Sequence, residues 1–371
     1  MISTNARTRA AAALIFVLAA GLPIVARAAD WQAGAGTDWQ KILAAAKKEG
    51  SVAVSGPPQL AEPFAKGFAR DTGITVDYLG GEARTTASRV VREVRAGAVT
   101  IDVFLTGSAE LPQVKEGLFD DEKSRLLLPG VTDPKNWSGG ALKWVDNTQK
   151  FMLQAQAYIS SVPMYDGNTV KPGEFANWKD LLKPQFKGKI VAYDPRSGGP
   201  GVQTAAYIGV QFGMDFVKSL YVGQEVVYSL DSRQMAEWVA RGVDAIGLGI
   251  PAADYTTLHN AGITNLIAAD PKDGPGTLTG GFSVVELPKG GPHPNAAIVF
   301  LNWYASAVGQ EAYSHAMNTS TRRTDVAVDP SIPAFTVPKP GITYQDQYNE
   351  DWITTVRAKT VDQVMQVIGG K

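Results

Sequence analysis

Trp39, Ile42, Leu43 and Ala46 recur at the spacing of one helical face. Thr37 or Asp38 can cap the start of that helix, and Gly50 can end it in the left-handed conformation. Three strand-to-helix units follow. The pattern predicts strand 51–55 with helix 59–70, strand 74–78 with helix 85–96, and strand 101–105 with a short helix ending near Gly117. In the second of these helices Ala87, Val90, Val91 and Val94 form the buried side, while Arg89, Arg92, Glu93 and Arg95 face water. Strands alternating with helices of this length predict a parallel sheet covered on both faces.

Residues 129–150, punctuated by Pro129, Gly130, Pro134, Gly139 and Gly140, read as irregular surface. A long strand is predicted over 151–160, a helix and turn over 175–189, and a strand over 190–193. Helices are expected near 214–221 and 233–240, a strand over 244–250, a helix over 252–261 and a last segment over 264–268. Residues 276–290 read as another extended strand, followed by helices 295–307 and 309–317, a proline-rich passage over 329–340 and a closing helix near 347–367. The chain thus holds two α/β groups, roughly 30–150 and 161–275, joined by extended strands near 151–160 and 277–286. Two connections between two groups imply two lobes with a cleft. The expected division is 29–155 plus 280–345 for the first lobe and 156–279 for the second, with 346–371 packing on one of them.

The N-terminus changes the setting. Arg7 and Arg9 precede an apolar run from Ala10 to Val25, and Ala26-Arg27-Ala28 offers a small-residue cleavage site, the three parts of a secretory signal peptide over 1–28. Gly21 and Pro23 interrupt that run, which is short for a membrane span. Removing Arg7, Arg9 and Arg27 subtracts three positive charges and takes the formal charge from −1 to −4. A mildly acidic chain with interspersed charges argues against nucleic acid as a partner. Cysteine is absent, so neither a lipid-anchored cysteine nor a disulfide is available. The mature product is expected in the periplasm as a monomer.

The turns that follow the predicted strands carry the candidate chemistry. In an open parallel sheet ligands bind beyond the carboxyl ends of the strands. There the chain places Ser55 and Gly56, then Gly80, Gly81, Glu82, Arg84 and Thr85, then Thr106, Gly107 and Ser108. In the second group it places Arg196, Ser197, Gly198, Gly199, Pro200 and Gly201. Each turn feeds a helix start with unpaired N–H groups and positive potential, a cradle for an anionic or strongly polar group. Arg84 and Arg196 could pair a carboxylate or phosphate through two bonds, and Tyr255 follows a predicted strand at the cleft end.

Catalytic patterns are absent. His259, His293 and His315 are the only histidines, and none has a second histidine at ligand spacing. There is no H-E-x-x-H, no G-x-S-x-G, no phosphate-binding P-loop and no G-x-G-x-x-G.

Four stretches carry a resemblance: "WQKILAAAKKEGSVAVSG", "VVREVRAGAVTIDVFLTG", "NWKDLLKPQFKGKIVAYDP" and "HPNAAIVFLNWYASAVGQE". In order and spacing the mature chain resembles the type II extracellular solute-binding proteins of ABC transporters, in the branch with ferric-iron, thiamine and polyamine binders. The resemblance implies an α/β fold of the periplasmic-binding-protein type II, two doubly wound α/β lobes joined by two crossing strands. It implies a carrier without cofactor rather than an enzyme, closing on a solute and delivering it to an inner-membrane ABC permease. The site residues it implies are Ser55, Gly56, Arg84, Thr85, Gly107, Ser108 and the turn 197–201. Iron binders of the branch use two adjacent tyrosines; the corresponding segment here, ending at Tyr255, holds one, and no Tyr-Tyr pair occurs.

The leading expectation is therefore a binder of a small polar, anionic organic solute. The alternatives are a carrier of ferric iron or another metal, with Asp194, Asp254, Tyr255 and His259 as available ligands, and an exported hydrolase on the same scaffold.

Overall fold

The computed structural model describes residues 30–81, 83–171, 173–197 and 199–369. The predicted signal peptide at 1–28, Gly198, and the side chain of Arg84 lie outside that description. Residues Trp31–Lys371 form one compact unit.

Its strands, in chain order, are β1 (Ser51–Gly56), β2 (Thr75–Gly80), β3 (Val103–Thr106), β4 (Leu153–Gln154), β5 (Tyr158–Ser160) and β6 (Met164–Asp166). Next come β7 (Ile190–Tyr193), β8 (Val227–Ser229), β9 (Ile246–Leu248) and β10 (Leu266–Ala268). The last are β11 (Thr277–Thr279), β12 (Val284–Glu286) and β13 (Gln345–Asp346). They make two five-stranded sheets, ordered β2-β1-β3-β12-β4 and β10-β6-β9-β7-β8, and a three-stranded sheet β13-β11-β5.

The first two sheets are the two lobes, and both are mixed rather than parallel. β1, β2 and β3 run parallel, but β12 enters antiparallel to β3 and to β4. In the second lobe β7, β8 and β9 are parallel, while β6 is antiparallel to β9 and β10. The reversal follows from where the chain returns: β12 and β6 insert beside the parallel strands with the opposite sense, and strand alternation cannot reveal that sense. The predicted long strand over 151–160 is two strands, β4 in the first lobe and β5 in the hinge sheet. The strand predicted over 276–290 divides likewise into β11 and β12. β5 and β11 pair antiparallel, Tyr158 opposite Thr279 and Ser160 opposite Thr277, and together form the hinge.

The helix expected within 175–189 forms instead as two short 3-10 turns, Trp178–Leu182 and Pro184–Phe186. Pro184 has no N–H to continue a helix and pushes Lys183 to extended angles.

Each lobe has its own core. In the first, helices Ala61–Thr72 and Pro294–Ala305 interlock through aromatic rings, with Phe64 and Trp303 edge-to-face at 5.3 Å between centroids. In the second, Trp178 and Tyr207 meet at 5.3 Å beside Ile190, Ile208 and Leu220. The C-terminal helix Ala358–Ile368 buries Val364 and Ile368 in this second core. The segment before that helix is tied to the first lobe, so the chain crosses between lobes three times, one more than its strand pattern implied. Among the described residues no helix is long and apolar enough to cross a membrane.

Candidate functional site

A cavity of about 770 Å³ lies where the two lobes and the hinge meet. The hinge contributes Tyr158, Ser160, Ser161 and Thr279; the first lobe contributes Ser108, Gly281, Phe282, Asn318 and Thr319. From the second lobe come two helix starts. Gly199 and Pro200 open helix Gly199–Phe212, and Ala252 and Ala253 open helix Ala252–Asn260. The first turn of each helix has N–H groups with no partner inside the helix. The C-terminal segment adds Gln347, Tyr348, Trp352 and Arg357.

The chemistry of this wall is specific. Hydroxyls, amides and aromatic rings are set among aliphatic side chains and glycine and proline backbone; among the described lining residues Arg357 is the one charged side chain, with no Asp, Glu, Lys or His. Burial pushes the Tyr158 phenol up, and the neighbouring Tyr348 adds to that. Burial also raises Tyr348, opposed by its bond with Thr279 and by the positive field of Arg357. Both phenols therefore remain neutral donors at physiological pH.

Of the residues singled out from sequence, Ser108, Gly199 and Pro200 stand on this wall. Gly107 borders a separate cavity of about 540 Å³ with Arg92, Arg95 and Glu110, and Phe282 touches both spaces. The other described candidates lie away from this wall, several of them in bonds within the fold. Ser55 is fully buried, and its hydroxyl donates to the Leu79 carbonyl at 2.9 Å, tying β1 to β2. Gly56 is packed so closely that a Cβ would sit 2.9 Å from Leu105 Cβ and from Tyr78 Oη. Thr85 is exposed on the helix Ala83–Ala96.

Arg196 does not present a free guanidinium. Its Nε and Nη2 donate to the two oxygens of Asp194 at 2.8 and 2.7 Å, and its plane lies 4.9 Å over the Tyr228 ring. The pair lowers the Asp194 pKa, chiefly through the Arg196 side-chain bonds. Ser197 donates its hydroxyl to the Asp194 carbonyl at 2.8 Å. Gly201 is buried where the helix start presses on β7: a Cβ there would lie 2.4 Å from the Tyr193 carbonyl oxygen. Tyr255 stacks on His259 at 3.9 Å and meets Phe335 edge-on at 4.9 Å, one layer behind the wall that Phe335 joins. His259 Nε2 bonds the Leu266 carbonyl at 2.8 Å, and among the described residues no group of three His, Asp or Glu side chains placed to hold a metal forms.

The residues that sequence reading missed are Tyr158, Thr279, Gly281, Tyr348, Trp352 and Arg357. The first three belong to the crossing strands, which were read as connections only. The last three belong to a segment read as a packing helix. No local signal marks them, because they reach the cavity only when the lobes are assembled.

Residues 59–336 match the family described as bacterial extracellular solute-binding protein. An uncharacterised protein of Haemophilus influenzae is 24% identical over 327 residues, spanning 80% of this chain and 88% of its own. The Trichodesmium protein IdiA (FutA), solved in complex with iron and citrate, has a similar fold: TM-score 0.67, 19% identity, 87% of this chain and 100% of that one. The periplasmic binding protein AfuA of Actinobacillus pleuropneumoniae, solved with fructose-6-phosphate, gives a TM-score of 0.55 at 19% identity, over 85% and 98% of the two chains.

Proposed function

The chain belongs to the bacterial extracellular solute-binding protein family, in its two-lobed type II fold, and on that premise we propose that it captures a small polar, anionic organic solute in the interlobe cavity and presents it to an inner-membrane ABC permease. The observation that carries the reading is the wall itself: among the described residues it holds one positive side chain and no negative one, with neutral hydroxyls and amides set in a largely apolar surround. A carboxylate lining would favour a cation; its absence from the described wall removes that attraction, and Arg357 supplies the opposite one. Helix starts and serine and threonine hydroxyls add donors suited to oxyanions. The size suits a small organic guest, since ligand cavities run to about 300–1,000 Å³.

Closure is part of the proposal. The β5–β11 pair is short, lies between two separately packed cores, and can bend while the cores stay rigid. A solute touching both lobes would favour the closed state by the difference of its affinities for the two states.

Direct ferric capture is the second reading, supported by the two tyrosines Tyr158 and Tyr348 on one wall. Against it stands the described wall, which offers no carboxylate or imidazole to complete a ferric ligand set. Thermal-shift screening of the mature protein, followed by mass spectrometry of co-purifying compounds and metal analysis, tests both. An anionic solute recovered unaltered at one equivalent supports carriage; a visible tyrosinate-to-iron absorption band with one equivalent of iron overturns the organic-anion reading; released product indicates a hydrolase.

A further inference from the structure

The one positive charge among the described wall residues comes from a part of the chain beyond the family match at 59–336. This part is a strap held at both ends. On the first lobe Lys143 Nζ meets Asp346 at 2.8 Å and Lys115 Nζ meets Glu350 at 2.5 Å. Asn147 Nδ2 donates to Asp351 at 2.9 Å, and the Glu350 N–H donates to the Val145 carbonyl at 2.8 Å. On the second lobe the helix Ala358–Ile368 is anchored by Val364 and Ile368. Between the anchors runs a π-helical stretch, Trp352–Arg357, a geometry that recurs at functional sites. It holds Trp352 buried and Arg357 exposed, both on the cavity wall.

Arg357 differs from the arginines that sequence reading favoured. Arg196 is neutralised by Asp194, whereas Arg357 makes no ion pair or hydrogen bond among the described residues. Its positive field acts on the neutral Tyr348 phenol. An unneutralised guanidinium beside two aromatic side chains is a receptor for a charged head on an apolar body.

We propose that the strap is a specificity-determining third wall of the site, in which Arg357 pairs the anionic group of the solute while Trp352 and Tyr348 contact its carbon frame. This rests on the cavity being the solute site. Because the strap is anchored to both lobes, a solute held by Arg357 also bridges them.

The test is calorimetry on the full mature chain and on Arg357→Gln, Arg357→Lys and the off-wall control Arg196→Gln. The probes are benzoate, succinate, glycerol 3-phosphate and methanesulfonate, with benzamide and glycerol as uncharged counterparts, and ferric citrate. The expected result is that wild type prefers an anion to its uncharged counterpart. Arg357→Gln should then lose about tenfold or more in affinity for it, Arg357→Lys should retain part, and Arg196→Gln should match wild type. Unliganded melting temperatures should coincide across the four proteins, separating lost pairing from lost folding. An Arg357→Gln protein that binds the anion within about twofold of wild type overturns the strap inference and leaves the cavity reading standing. A wild type that responds only to uncharged probes or to iron overturns the cavity reading itself, and the strap inference with it.

Discussion

The phenol of Tyr348 donates to the carbonyl oxygen of Gly281 at 2.8 Å, fastening the C-terminal strap to the turn between β11 and β12. Gly281 has φ of +56°, and a Cβ there would lie 2.7 Å from the Tyr158 hydroxyl oxygen. Two tyrosines from different crossings thus converge on one glycine at the hinge.

Gly281→Ala should be destabilising and should weaken solute binding. The left-handed conformation costs a residue with a Cβ roughly 1–2 kcal/mol, and the new methyl would displace Tyr158 from the wall. Urea denaturation reads the first effect and calorimetry the second. Wild-type values in both would mean that the turn relaxes freely.

Tyr348→Phe removes one donor and leaves the ring. The loss should be about 0.5–1.5 kcal/mol in denaturation free energy, the usual net worth of such a bond. Hydrogen exchange of the strap amides should accelerate. Unchanged exchange would show that the ion pairs of Asp346 and Glu350 hold the strap without it.

Gly201→Ala should cost about 1–3 kcal/mol, the range for overpacking a tight contact. The obstructing atom is a backbone oxygen, which cannot rotate aside. Ser197→Ala, by contrast, should leave solute affinity within about twofold, since that hydroxyl serves the Asp194 carbonyl. A large affinity loss in Ser197→Ala would place the Ser197 hydroxyl in the site after all.

Glu286 supplies a pH test. It is fully buried with neither carboxylate oxygen bonded, and burial raises its pKa well above 4.5, with Glu110 adding to the rise. A raised folded-state value means the unfolded chain releases this proton first as pH rises. Stability contributed here is therefore greatest below the ordinary value of 4.5 and falls as pH climbs above it. Glu286→Gln should gain stability relative to wild type between pH 5 and 8, measured by urea denaturation. A difference independent of pH would mean that Glu286 is ionised in the folded protein.

Much of the fold was legible because it depends on local pattern. The helix Thr37–Glu49 ends at Gly50 with φ of +82°, as the apolar spacing and the glycine implied. The β1, β2 and β7 strands were visible as β-branched runs bounded by turn residues. The 3-10 turns at Trp178–Leu182 were missed because Pro184 outweighs an apolar spacing that suits a helix. Strand direction in β6 and β12 was missed because it depends on where the chain returns.

The candidate site divides differently. Glycine and serine at strand ends pointed to a ligand cradle, and Ser108 and Gly199 do reach the cavity. Gly56 and Gly201 carry the same sequence signal for another reason, close backbone packing. Composition cannot separate these two uses, because both require the absence of a side chain.

By itself the sequence determined two α/β lobes, their crossing strands and the kind of turn that can border a ligand, since helical and strand periodicity and turn chemistry act over a few residues. Only the tertiary structure decided which arginine is available. Arg196 has an aspartate two positions away and folds onto it, while Arg357 emerges unpaired because the strap carries it from one lobe to the other. A charge is set by residue type, but its neutralisation is set by what lies within a few ångströms in space.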